Sequence, residues 1–120
     1  MEERKDFPKR IKLLVTIVDR GKGEKVVNIC KKQGCMFHMI YLGYGTANSD
    51  LLDFLGLGNT AKDIVLSVVL EEKTQQTLQA LTKEMKFDKP GNGIAFTISI
   101  NSVGGPKTLR YISGLFLKKG

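Results

Sequence analysis

Residues 63–70 read Asp63-Ile64-Val65-Leu66-Ser67-Val68-Val69-Leu70. An aliphatic, largely β-branched run of this length is too short for a buried helix and reads as a strand. Its side chains are apolar on both faces, which predicts a central strand covered on both sides. Downstream, Leu78, Leu81 and Met85 fall at helical spacing, so 74–86 reads as a helix with Thr74 as its N-cap. Glu71 and Glu72 precede it as favourable charge at a helix start. Lys89-Pro90-Gly91-Asn92-Gly93 is a tight turn. Ile94, Phe96, Ile98 and Ile100 then alternate with Ala95, Thr97, Ser99 and Asn101, a strand over 94–101.

Upstream lies a loop over 43–62, rich in Gly, Asn, Thr and Ser, with an apolar insert of Leu51, Leu52, Phe54, Leu55 and Leu57. Before it, 35–42 reads as a strand. The stretch 24–33 reads as a helix: Val26, Val27 and Cys30 keep helical spacing, Lys31 and Lys32 occupy the last turn, and Gly34 stands just past the end. Ile11, Leu13, Val15 and Ile17 alternate with Lys12, Leu14, Thr16 and Val18 in a first strand, broken by 19–23. The order is β-α-β-β-α-β, an α+β ferredoxin-like arrangement with an antiparallel sheet. Both helices of that fold cover one face. The second face of the first strand carries Leu14 and Val18, which is too apolar for a wet surface and predicts burial by other subunits. The body spans 11–103, between a charged leader over 1–10 and a basic tail over 104–120.

The 120 residues suit one domain with one core. No apolar run approaches the ~20 residues of a membrane helix, and the charged leader has no apolar stretch of the kind a secretory signal needs. A cytoplasmic location is therefore expected, and a structural disulfide between Cys30 and Cys35 is not. The two cysteines read as small buried thiols. Cys35-x-x-His38 offers half a metal site, but His38 is the only histidine and a structural zinc site takes four ligands. No Ser-His-Asp or Cys-His arrangement can be read, so an enzyme is not expected.

The net charge of +7 favours anionic partners. Eight of the 13 glycines form Gly-x-Gly pairs, which let backbone N–H groups approach an anion. Gly43-Tyr44-Gly45 follows the second strand and Gly91-Asn92-Gly93 precedes the fourth. In a ferredoxin-like unit these places can lie near one another at an edge, and with Lys89 they would form a phosphate cradle. Neither pair fits the dinucleotide fingerprint or the P-loop. Nucleic-acid binding would need aromatics interleaved with the basic residues, and Phe37, Tyr41 and Phe96 fit a core equally well. In the tail, Lys107, Arg110, Lys118 and Lys119 read as a solvated basic cluster, while Leu115-Phe116-Leu117 argues that part of it packs.

Taken together these motifs resemble the PII signalling-protein superfamily: the βαββαβ order, Gly43-Tyr44-Gly45 opening a long excursion, the Gly91-Asn92-Gly93 turn, and Ile94-Ala95-Phe96-Thr97-Ile98 after it. The resemblance covers about residues 11–103. It implies a homotrimer with small ligands in three clefts between subunits, usually an adenine nucleotide (ATP, ADP or AMP). It also implies that the 43–62 loop docks on a membrane transporter or an enzyme. It places nucleotide contact at Gly43, Gly45, Gly91, Asn92 and Gly93, with Tyr44, Lys89 and Lys107 beside them. The chain departs from nitrogen-sensing members at Thr46 and Ala47, where their glutamine stands, at Ile94, where a lysine stands, and at Gly104-Gly105-Pro106-Lys107, where paired arginines stand. No tyrosine for nucleotidylation lies between Thr46 and Lys62. The reading is thus a divergent PII-like regulatory protein. The competing one is a small enzyme or metal-handling protein on the same trimeric fold. For the loop, an arm ordered by ligand competes with a short helix over 50–55 capped by Asn48 or Ser49.

Overall fold

The computed structural model describes residues 10–45 and 61–104. The leader over 1–9, the loop segment 46–60 with its apolar insert, and the tail over 105–120 with Lys107 lie outside the described residues.

Four strands and two helices follow the anticipated order: β1 Ile11–Asp19, α1 Gly23–Lys32, β2 Met36–Tyr44, β3 Ala61–Leu70, α2 Thr74–Met85 and β4 Ile94–Ser99. The sheet is antiparallel, in the order β2-β3-β1-β4. β3 and β1 are central, as the aliphatic run at 64–70 requires. β2 continues through Gly43 and Tyr44, and β3 begins at Ala61, so the anticipated loop loses residues to the ladder at both ends. Tyr44 pairs with Ala61 and closes that ladder.

Both helices pack on one face. Leu14 and Val18 of β1, Val65 and Val69 of β3, Val26, Ile29 and Cys30 of α1, and Leu81 and Met85 of α2 form one core. This reverses the faces anticipated for β1: Leu14 and Val18 lie under the helices, and Leu13 and Ile17 pair with the open-face residues Ile98 and Ile94. The face under the helices, Lys12-Leu14-Thr16-Val18, is the less apolar of the two, so alternation alone points to the other one. Asp63, paired with Val18, binds the start of α1 and so favours the observed face. On β3 the helix-side Val65 and Val69 are buried; on the other face Val68 is buried as well, while Ile64 and Leu66 are half-buried.

Thr74 is not an N-cap. A 3-10 turn over Glu71–Lys73 leads into α2, and the Thr74 hydroxyl donates to the Leu70 carbonyl at 3.2 Å. In β2, Phe37 and His38 together face Ser67, between the pairs Met36–Val68 and Met39–Leu66. This β-bulge holds Phe37 at φ +57°, a costly conformation for a bulky residue, and turns His38 onto Ser67, with Nδ1 3.0 Å from Oγ. No described helix is long and apolar enough to cross a membrane.

Candidate functional site

The C-terminal ends of β1 and β2 and the N-terminal ends of β3 and β4 all lie at one end of the sheet, because Ile17 pairs with Ile94, Asp19 with Lys62, and Tyr44 with Ala61. Both glycine motifs are therefore at that end. One half of the candidate site is built by charged residues at the strand ends. Asp63 is buried, and its Oδ2 accepts the backbone N–H groups of Gly21 and Gly23 at 2.9 Å each. It caps the start of α1 from a neighbouring strand, where the helix supplies no cap of its own. A Cβ at Gly23 would stand 2.9 Å from that carboxylate oxygen, so a larger residue there would have to displace Asp63.

Arg20 completes the arrangement. Its Nε lies 3.4 Å from Asp63 Oδ1. Its Nη2 donates to the Gly43 carbonyl at 3.0 Å and the Lys62 carbonyl at 3.2 Å. The guanidinium lies 5.4 Å from the centroid of the exposed Tyr44 ring. One side chain thus ties together the end of β2 and the start of β3, the two feet of the 43–62 loop. The buried Lys62 ammonium is paired with Asp19 Oδ1 at 2.7 Å.

The other half is the turn before β4. Gly91 and Gly93 take φ +90° and +132°. Open space surrounds Gly91, whereas a Cβ at Gly93 would stand 2.7 Å from the Ile17 carbonyl and 2.8 Å from Phe87 Cε1. The Asn92 amide donates to the carbonyl of Lys86, the left-handed residue that ends α2, at 2.9 Å. Asn92 and Gly93 therefore shape the turn before any ligand is considered. Lys89 is exposed, on the rim of a cavity of about 640 Å³ that also borders Leu78, Thr82, Lys83 and Lys86 of α2.

The two halves do not form one cradle within a chain, contrary to the expectation that they meet at an edge. β2 and β4 are opposite edges, three strand steps apart, which at ~4.8 Å per step is about 14 Å. Within one chain each motif therefore stands at its own edge of the sheet. Sequence reading missed Arg20, Asp63, Asp19 and Lys62. The available signal was charge at the ends of otherwise apolar strands, with no indication that residues some forty apart would meet.

Phe37, Tyr41 and Phe96 are all exposed, not core. Cys30 and Cys35 are buried and free, as anticipated. Among the described residues no three His, Cys, Asp or Glu side chains converge on a metal position. Burial pushes His38 below its ordinary pKa, against a hydrogen bond to the Cys35 backbone.

No protein-family model matches the chain, and no curated protein sequence matches it either. Solved structures do. CPII from Thiomonas intermedia K12, bound to ADP, AMP and acetate, superposes with a TM-score of 0.63 at 19% identity, over 84% of this chain and 95% of that one. A Thermus thermophilus protein described as a PII-like signalling protein gives 0.59 at 20% identity, over 82% and 95%. The chain has a PII-like fold. A Bacillus cereus protein related to NIF3 contains the same arrangement, with a TM-score of 0.60 at 11% identity over 82% of this chain, but this covers only 27% of that protein. The PII-like fold thus also occurs inside larger proteins, and function has to be argued from the site.

Proposed function

We propose that the chain is a PII-like regulatory protein that binds an adenine nucleotide (ATP, ADP or AMP) in clefts between the subunits of a homotrimer. In each cleft Gly43-Tyr44-Gly45 of one subunit faces Lys89 and Gly91-Asn92-Gly93 of the next, with Lys107 as a further basic group. The observation that carries this reading is the placement of the two glycine motifs at the same end of the sheet but on opposite edges. Each offers half a phosphate cradle, and assembly would complete it.

The open face supports the assembly. Met39, Tyr41, Phe96 and Ile98 are 39%, 46%, 40% and 50% exposed, beside the half-buried Leu13, Ile17, Ile64, Leu66 and Ile94. A contiguous apolar face of this kind marks an interaction surface. Nucleotide at the cleft would act on the Arg20 tie between Gly43 and Lys62, and so on the 43–62 loop, which signals to a partner protein. CPII, which shares the fold, is found with ADP and AMP bound.

Calorimetry of the full chain against ATP, ADP and AMP, with light scattering for mass, tests both parts. The reading expects a trimer, heat from at least one nucleotide, and a roughly tenfold weaker affinity in Lys89→Ala. A stable monomer at micromolar concentration, or no heat from any of the three, sinks it. Stoichiometric bound metal without nucleotide heat would instead favour the competing class. Hydrogen exchange over 46–60 tests the loop: exchange that is fast in the free protein and slows with nucleotide supports a signalling arm, and exchange slow from the outset supports a packed helix.

A further inference from the structure

The end of α1 carries chemistry that nucleotide binding leaves unused. Gln33 closes the helix and Gly34 follows at φ +90°. The Cys35 N–H then bonds the Cys30 carbonyl at 3.0 Å, and the Gly34 N–H bonds the Lys31 carbonyl at 3.0 Å. These are the two hydrogen bonds of a Schellman ending, which brings together the side chains on either side of it. Here those side chains are the only two cysteines of the chain, and both are buried in the same core.

The two thiols are not equivalent. Cys35 keeps 8% of its surface exposed and Cys30 none. The hydrogen bond from Cys30 holds Cys35 below the ordinary thiol range against its burial, with further help from the Thr77 hydroxyl and the Lys73 charge. That ammonium packs over Gly34, 3.4 Å from where a Cβ would stand. The Cys35 hydrogen bond and burial push Cys30 far up. The Ser67 hydroxyl acts on Cys30 in the opposite sense, and its Oγ is 3.0 Å from His38 Nδ1. His38 in turn lines a cavity of about 540 Å³ with Glu24, Val27, Asn28, Lys31 and Ile40. The Ser67–His38 bond therefore connects the buried helix side of the sheet to that cavity.

We propose that Cys30 and Cys35 form a peroxide-reactive dithiol, in which Cys35 attacks the oxidant and Cys30 then closes an intramolecular disulfide. The Cys35 thiolate attacks one oxygen of hydrogen peroxide. The O–O bond breaks, and the departing hydroxide takes up the proton that the thiol released, leaving water and a sulfenic acid on Cys35. The Cys30 sulfur then displaces the sulfenic hydroxyl: the S–S bond forms, the S–O bond breaks, and the Cys30 proton combines with the leaving hydroxide as a second water. Two thiols lose two electrons, and peroxide gains them. Ser67 Oγ is the group placed to take the proton from Cys30 and pass it to the neutral ring of His38, from which it reaches the leaving hydroxide through solvent.

The test is chemical and independent of nucleotide binding. The full chain, reduced and freed of reductant, is treated with hydrogen peroxide and followed by thiol titration and intact mass. Both thiols should disappear together, with a mass lower by two hydrogens, no cross-linked chains on a non-reducing gel, and full reversal by dithiothreitol. Cys30→Ser should stop at a dimedone-trappable sulfenic acid on Cys35. Cys35→Ser should leave Cys30 reacting at least roughly tenfold more slowly. Ser67→Ala should form sulfenic acid at the wild-type rate and close the disulfide several-fold more slowly; closure at the wild-type rate overturns the Ser67 route. Thiols that survive peroxide treatment sufficient to oxidise free cysteine overturn the proposal, as do products that are only cross-linked chains, or a Cys35→Ser variant as fast as wild type.

Discussion

Replacing Asp63 by alanine should be among the most damaging single changes in this protein, and its cost can be worked from the geometry. The carboxylate is 5% exposed and accepts two backbone N–H groups at 2.9 Å, with Arg20 Nε 3.4 Å from its other oxygen. A hydrogen bond to a charged acceptor contributes about 1.5–3 kcal/mol, so the two backbone bonds represent about 3–6 kcal/mol gross. Removing the carboxylate also relieves part of its desolvation, which brings the expected net loss to about 3 kcal/mol. For a chain between the small and mid-sized classes this lowers Tm by about 10 °C. Circular dichroism on heating and in urea, at one protein concentration, reads the loss. Asp63→Asn should cost about half as much, since its amide oxygen still accepts but without charge. Amide exchange at Gly21 and Gly23 should quicken in both variants. If Asp63→Ala unfolds within about 1 kcal/mol of wild type, the carboxylate does not hold α1 on the sheet and the account of why β1 presents Leu14 and Val18 to the helices fails.

The two turn glycines should separate cleanly. Gly91→Ala meets open space and carries only the strain of its φ of +90°, a loss of about 1–2 kcal/mol in urea denaturation. Gly93→Ala adds a collision with the Ile17 carbonyl and should lose clearly more, so Gly91, not Gly93, is the position at which ligand effects can be read in a folded protein. His38 titrates below its ordinary 6.5 because burial disfavours the imidazolium. The unfolded chain then takes up a proton that the folded one refuses. The contribution is fully present above 6.5 and is lost as pH falls through the depressed folded value, and His38→Gln should flatten that limb of a Tm-against-pH curve. Thr16 Oγ1 is buried without a hydrogen-bond partner among the described residues, so Thr16→Val should raise stability by about 1 kcal/mol in the same urea assay, and a loss would show that the hydroxyl is satisfied.

What the sequence made legible was whatever depends on near neighbours. The alternation at Ile94, Phe96 and Ile98, Gly34 just past α1, and the glycine turn at 91–93 each lie within a few residues of the backbone they shape. What stayed hidden depends on pairing across the chain. Leu13 and Leu14 are equally apolar, and nothing local shows that Asp63, bonded to Gly21 and Gly23, lies on the side of Leu14 and Val18. Thr74 looked like a cap because Glu71–Lys73 gives no sequence sign of an added 3-10 turn. The distance between the glycine motifs follows from strand order, which local patterns do not encode. The contact of Cys30 with Cys35 was within reach, because Gly34 marks the Schellman ending that joins them.

The ladder that closes at Tyr44 and Ala61 separates what lies beyond it from what lies below. Sixteen residues run between those two, and they leave and re-enter the body through neighbouring strands already fastened by Arg20 to the Gly43 and Lys62 carbonyls. Doubling the length of such a closed segment costs only about 0.6 kcal/mol in chain entropy. The two ends of that segment are therefore held in a fixed frame, by the ladder and by one guanidinium, whatever its length.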